Sequence, residues 1–232
     1  YAEKKIRRYG FHGTSHRYVS AKAAEVLGRD PAGLKIVTCH LGNGSSITAV
    51  EGGKAVDTSM GFTPQEGILM GTRSGSIDPT IIPYLMKTEG MNADEVEDLL
   101  NRRSGLLGVS GISNDARNVT EAAEAGNDRA RLALDILVHG IKKHIGGYVA
   151  VMNGIDALVF TAGIGENDAS LRSRVCRHME TFGIAIDEEL NARLPKGRDV
   201  DISAPGAKVK TLVIPTDEEY MIAMDTARLA TK

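Results

Sequence analysis

Apolar residues recur at helical spacing between Thr14 and Leu27, where Val19, Ala23, Val26 and Leu27 form one stripe. Thr14 or Ser15 is placed to cap this helix and Gly28 to stop it. The period then shortens. Leu34 to Leu41 reads as a buried strand, Gly42-Asn43-Gly44 as a tight turn, and Ser45 to Val50 as a second strand. A turn at Glu51-Gly52-Gly53 leads into a third strand, Lys54 to Thr58, so the three make an antiparallel meander. Residues 59–75 form a Gly-rich loop. Helices are predicted over 78–87, from Asn92 or Asp94 to Asn101, and over about 114–125. A long amphipathic helix follows from about Asn127 to Met152, with Ala130, Leu134, Leu137, Val138, Ile141, Ile145, Tyr148, Val149 and Met152 on its apolar face. Ala157 to Thr161 is a short apolar strand that ends in a glycine turn, 162–167, and runs into a helix over 170–182. Val209 to Ile214 is a last strand and Glu218 to Leu229 a closing helix.

That order describes an α/β protein, a mixed sheet with helices on its faces. No internal repeat, low-complexity tract or Pro-rich linker interrupts it. Residues 76–125 read as a helical insert rather than a separate domain.

Composition narrows the function. The 232 residues carry a net charge of −2 and are 42% hydrophobic and 25% charged, ordinary values for a globular protein with a real core. No run of 18 apolar residues exists, which argues against a membrane partner. No basic excess points to nucleic acid. Cys39 and Cys176 lie in apolar segments and read as reduced thiols of a cytoplasmic protein. The first residue is Tyr1 rather than Met, which suggests a truncated or processed piece. There are 26 glycines against 4 Phe, 6 Tyr and no Trp, and the glycines gather at strand ends, where backbones can approach phosphates.

Several motifs could carry chemistry. In His40-Leu41-Gly42-Asn43-Gly44-Ser45-Ser46, glycines would let backbone N–H groups converge on an anion, and the two serines add hydroxyl donors. The same run is also an ordinary hairpin turn. Gly163-Ile164-Gly165-Glu166-Asn167 follows a strand and precedes a helix, where nucleotides often bind, but it lacks the third glycine of the dinucleotide fingerprint. Arg73, between small residues in a glycine loop, presents forked donors to phosphate or carboxylate, unless it is a surface residue in a salt bridge. His12 and His16 have zinc-like spacing, but Gly13 and a helix start lie between them, so they should not share a helix face. His12 reads as a loop histidine contacting an anion, and His16 as a structural one. Acidic residues in Pro215-Thr216-Asp217-Glu218-Glu219 complement a helix dipole or, less simply, supply a magnesium ligand. Arg172, Arg174 and Arg177 read as a solvated helix face, His139, His144 and His178 as surface or satisfied-core residues on helices, and Met60, Met70 and Met86 as core fillers.

Five motifs in this order resemble the acetate kinase (acetokinase) family: YGFHGTSH (9–16), HLGNGSS (40–46), FTPQEGILMGTRSG (62–75), GIGEN (163–167) and PTDEE (215–219). The resemblance runs along the whole chain. It implies one lobe, the C-terminal one, of a two-lobed actin-like ATPase fold. It further implies for that lobe an RNase H-like sheet with helices on both faces, and an expected N-terminal lobe that matches no part of these 232 residues. It implies that His40, Leu41, Gly42, Asn43 and Gly44 hold nucleotide phosphates, and that Asp115, Ala116, Arg117 and Gly163 to Asn167 make other nucleotide contacts. Arg73 matches the family's catalytic arginine, His12 the histidine beside the phosphoryl path, with His40 sharing that task, and Glu218 the magnesium ligand. Ser76 and Asp217 depart from the family's usual Asp and Asn.

The implied reaction is reversible transfer of the γ-phosphoryl of ATP to acetate, giving acetyl phosphate and ADP, with Mg²⁺ or Mn²⁺. A cytoplasmic homodimer joined through this lobe is expected, with little turnover from the lobe alone. Propionate or butyrate as the acid, and a non-catalytic nucleotide-binding or dimerisation fragment, are the alternatives. A zinc hydrolase using His12 and His16 would need bound metal.

Overall fold

The centre of the sheet is built from strands buried on both sides, which is why they read as near-continuous apolar runs. The computed structural model describes residues 1–230. Strand β1 (Lys35–Leu41) is buried from Ile36 onward, and β4 (Ala157–Thr161) is buried throughout. The two pair in parallel, with Ile36 opposite Ala157 and His40 opposite Thr161. β6 (Lys210–Val213) adds in parallel on the far side of β4, with Phe160 opposite Val213. β2 (Ser45–Glu51) lies beside β1, joined to it by a turn too short for a parallel crossover. β3 (Lys54–Thr58) pairs antiparallel with β2. β5 (Val200–Asp201) closes the far edge, giving the order β3-β2-β1-β4-β6-β5. The sheet is mixed, as expected. The edge strand β3 is short and exposes Lys54, Ala55 and Val56, and a short edge with a lysine on it limits further pairing.

Helices cover both faces. α1 (Gly13–Leu27) sets Val19, Ala23 and Ala24 against Ile36, Val50, Val159 and Leu212. Gly28 ends it in the left-handed region, its N–H on the carbonyls of Ala24 and Glu25, as the sequence predicts. The expected cap does not form. His12 is the N-cap residue, itself left-handed at φ 54°, and Ser15 turns inward instead. α7 (Ala162–Asn167) covers the opposite face, with Gly165 over the Cys39 carbonyl and Leu41. α8 (Ala169–Cys176) brings Cys176 toward Cys39, and burial pushes both thiols up, that of Cys176 to about 12. α10 (Glu218–Ala230) packs on α1 through Tyr18 and Tyr220 and through an Arg17–Asp225 ion pair.

The chain divides into two compact units. One holds residues 1–9, 42–45 and 59–141, and the other holds 10–41, 46–58 and 142–232. The first contains α2 (Ile81–Thr88), α3 (Ala93–Arg102), α4 (Gly105–Ser110) and α5 (Ala116–Glu124). α3 is closed by a capping box between Asn92 and Glu95. α2 starts later than predicted because the Asp78 carboxylate accepts from the Thr80 N–H and hydroxyl, a local turn that competes with the helix. The long helix α6 (Asp128–Val151) runs from the first unit into the second, and every apolar position read from its period is buried or half-buried. Among the methionines, Met60 and Met70 fill the core, whereas Met86 is exposed on α2. No helix of the described residues is long and apolar enough to cross a membrane.

Two regions depart from the sequence reading. The segment 162–167 is a helix, not a glycine turn, because Ala162 adopts φ 64° and lets α7 begin directly after β4. The predicted helix over 170–182 breaks after Cys176. His178 at φ 60° and Gly183 at φ 82° bracket a short 3₁₀ turn, 180–182, so His178 is a turn residue rather than a helical one.

Candidate functional site

In the second unit, the carboxyl ends of β1, β4 and β6 reach one edge of the sheet, the edge where open α/β sheets present ligands. Three histidines gather there. His12 and His16 were expected on different faces, yet both reach the Ser46 hydroxyl, His12 Nδ1 at 2.9 Å and His16 Nε2 at 2.7 Å. His12 itself is left-handed, at φ 54°, immediately before the helix that carries His16. His16 Nδ1 meets Thr38 Oγ1 at 2.7 Å, so both of its nitrogens are held by hydroxyls. His40 stacks on His12, ring centroids 4.0 Å apart and 17° from parallel, with its Nδ1 2.8 Å from Ser15 Oγ. Burial, helped by the neighbouring rings, lowers His16 to about 3 and His40 to about 4. Both are therefore uncharged at neutral pH.

The loop after β6 joins this cluster. Thr216 Oγ1 donates to Ser15 Oγ at 2.8 Å, and the Thr216 N–H lies 3.4 Å from Glu166 Oε1. Asp217 accepts the Tyr220 N–H and so caps α10, the bland role expected of an acidic helix start. Glu218 is different. Its half-buried carboxylate accepts no hydrogen bond and makes no ion pair with the described residues. Magnesium ordinarily takes one or two carboxylates and fills its shell with phosphate oxygen and water. A single uncommitted carboxylate oxygen donor fits that requirement. No group of three or more His, Cys, Asp or Glu among the described residues is arranged to hold a metal by itself.

Arg172 corrects the reading of a solvated arginine face. It is 1% exposed. Its guanidinium donates to the carbonyls of Gly165 and Glu166 at 2.9 Å each, to Asn191 Oδ1 at 2.7 Å and to the Asn191 carbonyl at 3.1 Å. It ties the end of α7, and so the 163–167 segment, to α9 (Glu188–Ala192). Spacing was the available signal, since Arg172 and Cys176 are four apart beside the buried pair Leu171 and Val175.

Leu41 ends β1 in the second unit, and the other predicted residues, Gly42 to Gly44, Arg73 and Asp115 to Arg117, lie in the first. The Asn43 carbonyl accepts the Gly71 N–H at 3.0 Å, and its Oδ1 accepts from Asn114 Nδ2 at 3.2 Å. A Cβ on Gly71 would sit 1.9 Å from Asn43 Oδ1, so the glycine is needed for that approach. Gly42 and Ser45 close their own turn, Ser45 Oγ 2.9 Å from the Gly42 carbonyl. The two serine hydroxyls thus have internal partners, Ser45 in the turn and Ser46 between histidines, rather than standing open as donors. Arg73 donates through one nitrogen to the Pro64 carbonyl at 2.9 Å and touches Met70 Sδ at 3.7 Å. No carboxylate of the described residues pairs with it, so the alternative of a surface salt bridge does not hold. The rest of its fork is left for an anion. Asp115 caps α5 and binds its own neighbour, Arg117, whose hydrogen bonds hold the carboxyl down to about 2.

His40 can donate a hydrogen bond to phosphate without carrying charge, Arg73 can offset anionic charge and Glu218 can ligate a hard cation. A family model described as the Acetokinase family matches residues 1–224. The acetate kinase of Acetivibrio thermocellus is 59% identical over 229 residues, which are 99% of this chain and 57% of that protein. The crystal structure of Porphyromonas gingivalis acetate kinase is similar with a TM-score of 0.95 at 50% identity, over 99% of this chain and 57% of that one. That of a propionate kinase from Francisella tularensis subsp. tularensis SCHU S4 gives 0.88 at 44% identity, over 95% and 56%. The chain thus spans little more than half the length of the relatives it matches.

Proposed function

Because the chain belongs to the acetokinase family, we propose that it is the C-terminal lobe of a two-lobed, actin-like kinase that moves the γ-phosphoryl of ATP to acetate, reversibly, giving acetyl phosphate and ADP. The observation that carries this reading is the stacking of His12 on His40, a ring that burial keeps uncharged, at the carboxyl ends of parallel strands. Phosphoryl transfer spreads charge over equatorial oxygens and is catalysed by positioning and electrostatics. His12 and His40 donate to those oxygens. Arg73 offsets their charge. Backbone N–H groups over 41–44 cradle the nucleotide phosphates, while Asp115 to Arg117 and Gly163 to Asn167 contact the rest of the nucleotide. Mg²⁺ or Mn²⁺, held in part by Glu218, neutralises β- and γ-phosphate charge when bound. The enzyme works as a cytoplasmic homodimer joined through this lobe, and the lobe alone turns over little.

Acetate is favoured over propionate by the name of the 59% identical relative, against 44% identity to the propionate kinase. The test is kcat/KM of the full-length protein for acetate, propionate and butyrate. One methylene is worth about 1–3 kcal/mol in an apolar pocket, or about 10- to 200-fold. A preference for acetate of that order is expected. Equal or better use of propionate would overturn the substrate assignment.

A further inference from the structure

We propose that Ser15, oriented by Thr216, is a positioning residue that fixes His40 as its Nε2–H tautomer, so that the ring presents a hydrogen-bond donor to a phosphoryl oxygen. The assignment follows from counting protons. A hydroxyl has one proton to donate. Thr216 spends its proton on Ser15 Oγ, at 2.8 Å. Ser15 is 0% exposed, and the remaining partner of its hydroxyl is His40 Nδ1, at 2.8 Å. If His40 carried its proton on Nδ1, both neighbours would aim protons at Ser15 Oγ, and the serine's own proton would be buried without an acceptor. Such an orphan disfavours that tautomer by about tenfold or more. The Ser15 proton therefore goes to Nδ1, which must be bare, and the imidazole proton sits on Nε2.

Nε2 has no hydrogen-bond partner among the described residues. Nor is it among the buried side-chain atoms left without one, which are Thr161 Oγ1 and Thr211 Oγ1. It is open to a ligand. Burial also keeps this ring uncharged at neutral pH, so the tautomer alone decides whether Nε2 offers a proton or a lone pair to an anion. A lone pair would repel a phosphoryl oxygen. The relay gives Thr216 and Ser15 a role that neither the glycine motifs nor the acidic helix start supplies. The inference rests on the reading of His40 as a phosphoryl contact, while the tautomer itself does not.

The experiment has two arms. In the first, the chain is labelled with ¹⁵N-histidine and long-range ¹H–¹⁵N spectra are recorded at pH 7.5, with His40 assigned by its loss in His40→Gln. The Nε2–H pattern is expected in the wild type and in Ser15→Thr, and loss of that preference in Ser15→Ala. Thr216→Val leaves Ser15 in place and should relax the preference as well, which covers the case where Ser15→Ala folds poorly. An Nδ1–H pattern in the wild type, or an unchanged pattern in both relaxing variants, would overturn the proposal. In the second arm, the full-length protein is assayed with Mg-ATP and acetate. Ser15→Ala should lower kcat about 10- to 100-fold, the range known for partners that orient metal-bound histidines, and Ser15→Thr should keep it near the wild-type value. Full activity in a Ser15→Ala protein whose tautomer has changed would also overturn it. If the wild type fails to phosphorylate acetate, the functional reading falls while the tautomer assignment stands on the spectra.

Discussion

Replacing Arg172 with Met tests whether the 163–167 segment is held from beneath. Met keeps much of the stem but removes every donor. Three of the four hydrogen bonds lost lie in fully buried surroundings, those to the Gly165 carbonyl, Asn191 Oδ1 and the Asn191 carbonyl. An orphaned buried acceptor costs about 1–3 kcal/mol. Two effects pull the total toward the lower bound. Removing the guanidinium relieves the desolvation that already pushes its pKa down. A cavity of about 200 Å³ lined by Arg172, Asn191 and Glu166 can also bring water to the freed carbonyls. At about 1 kcal/mol each, the three give about 3 kcal/mol. For a chain of this size that lowers Tm by about 6–12 °C. A thermal melt followed by circular dichroism reads the shift. Because Gly165 and Glu166 belong to the proposed nucleotide contacts, KM for ATP in the full-length protein should rise while KM for acetate stays near its original value. A melt within about 2 °C of the wild type would refute the view that Arg172 clamps this segment.

Other outcomes follow from the same geometry. Gly105 has φ +65°, and a Cβ there would lie 2.2 Å from the Met70 carbonyl and 2.9 Å from that of Arg73. Gly105→Ala should therefore destabilise by about 1–3 kcal/mol and lower kcat by displacing the Arg73 loop, both read from a melt and a rate assay. His16 and His40 have folded pKa values near 3 and 4. The unfolded chain binds more protons below about pH 6.5, so their contribution is complete above that pH and is lost as pH falls toward 4. Between pH 6.5 and 5 each should cost about 2 kcal/mol of stability, and urea midpoints that stay flat over that interval would contradict the buried neutral assignment. Gly71→Ala should push Asn43 from its place, since the new Cβ would fall 1.9 Å from Asn43 Oδ1. Calorimetric titration with Mg-ADP should then show weaker binding.

Much of the fold was legible because burial imposes a period. α6 reads directly from its apolar stripe, and β1 and β4 from largely apolar runs that have no exposed face. What the sequence hid was set by backbone states and distant partners. α4 was missed because Gly105 and Gly108 argue against a helix locally, while the approach of Gly105 to the Met70 and Arg73 carbonyls makes glycine necessary there. α7 was taken for a turn because nothing local announces that Ala162 will adopt a left-handed conformation. Glycines marked the turn at 42–44 and the loop at 59–75, whereas those at 163 and 165 sit in a helix. The hydroxyls that orient its histidines were invisible, since Ser15, Thr38, Ser46 and Thr216 acquire their meaning from residues 22 to 201 positions away. Arg172 was misread because its partners, the carbonyls of Gly165, Glu166 and Asn191 and the Asn191 side chain, lie 6 to 19 positions away, and only its spacing from buried Cys176 pointed inward.

Phosphoryl transfer to acetate is tested most directly by following acetyl phosphate in ³¹P spectra of the full-length protein with Mg-ATP and acetate, wild type beside Arg73→Ala. Removing one donor to transition-state charge costs about 10²- to 10³-fold in comparable sites. The expected result is acetyl phosphate and ADP forming together in the wild type. In Arg73→Ala, kcat should fall by that factor while the affinity for Mg-ADP is largely kept. Absence of acetyl phosphate from the wild type, or a near-normal kcat in Arg73→Ala, would contradict it.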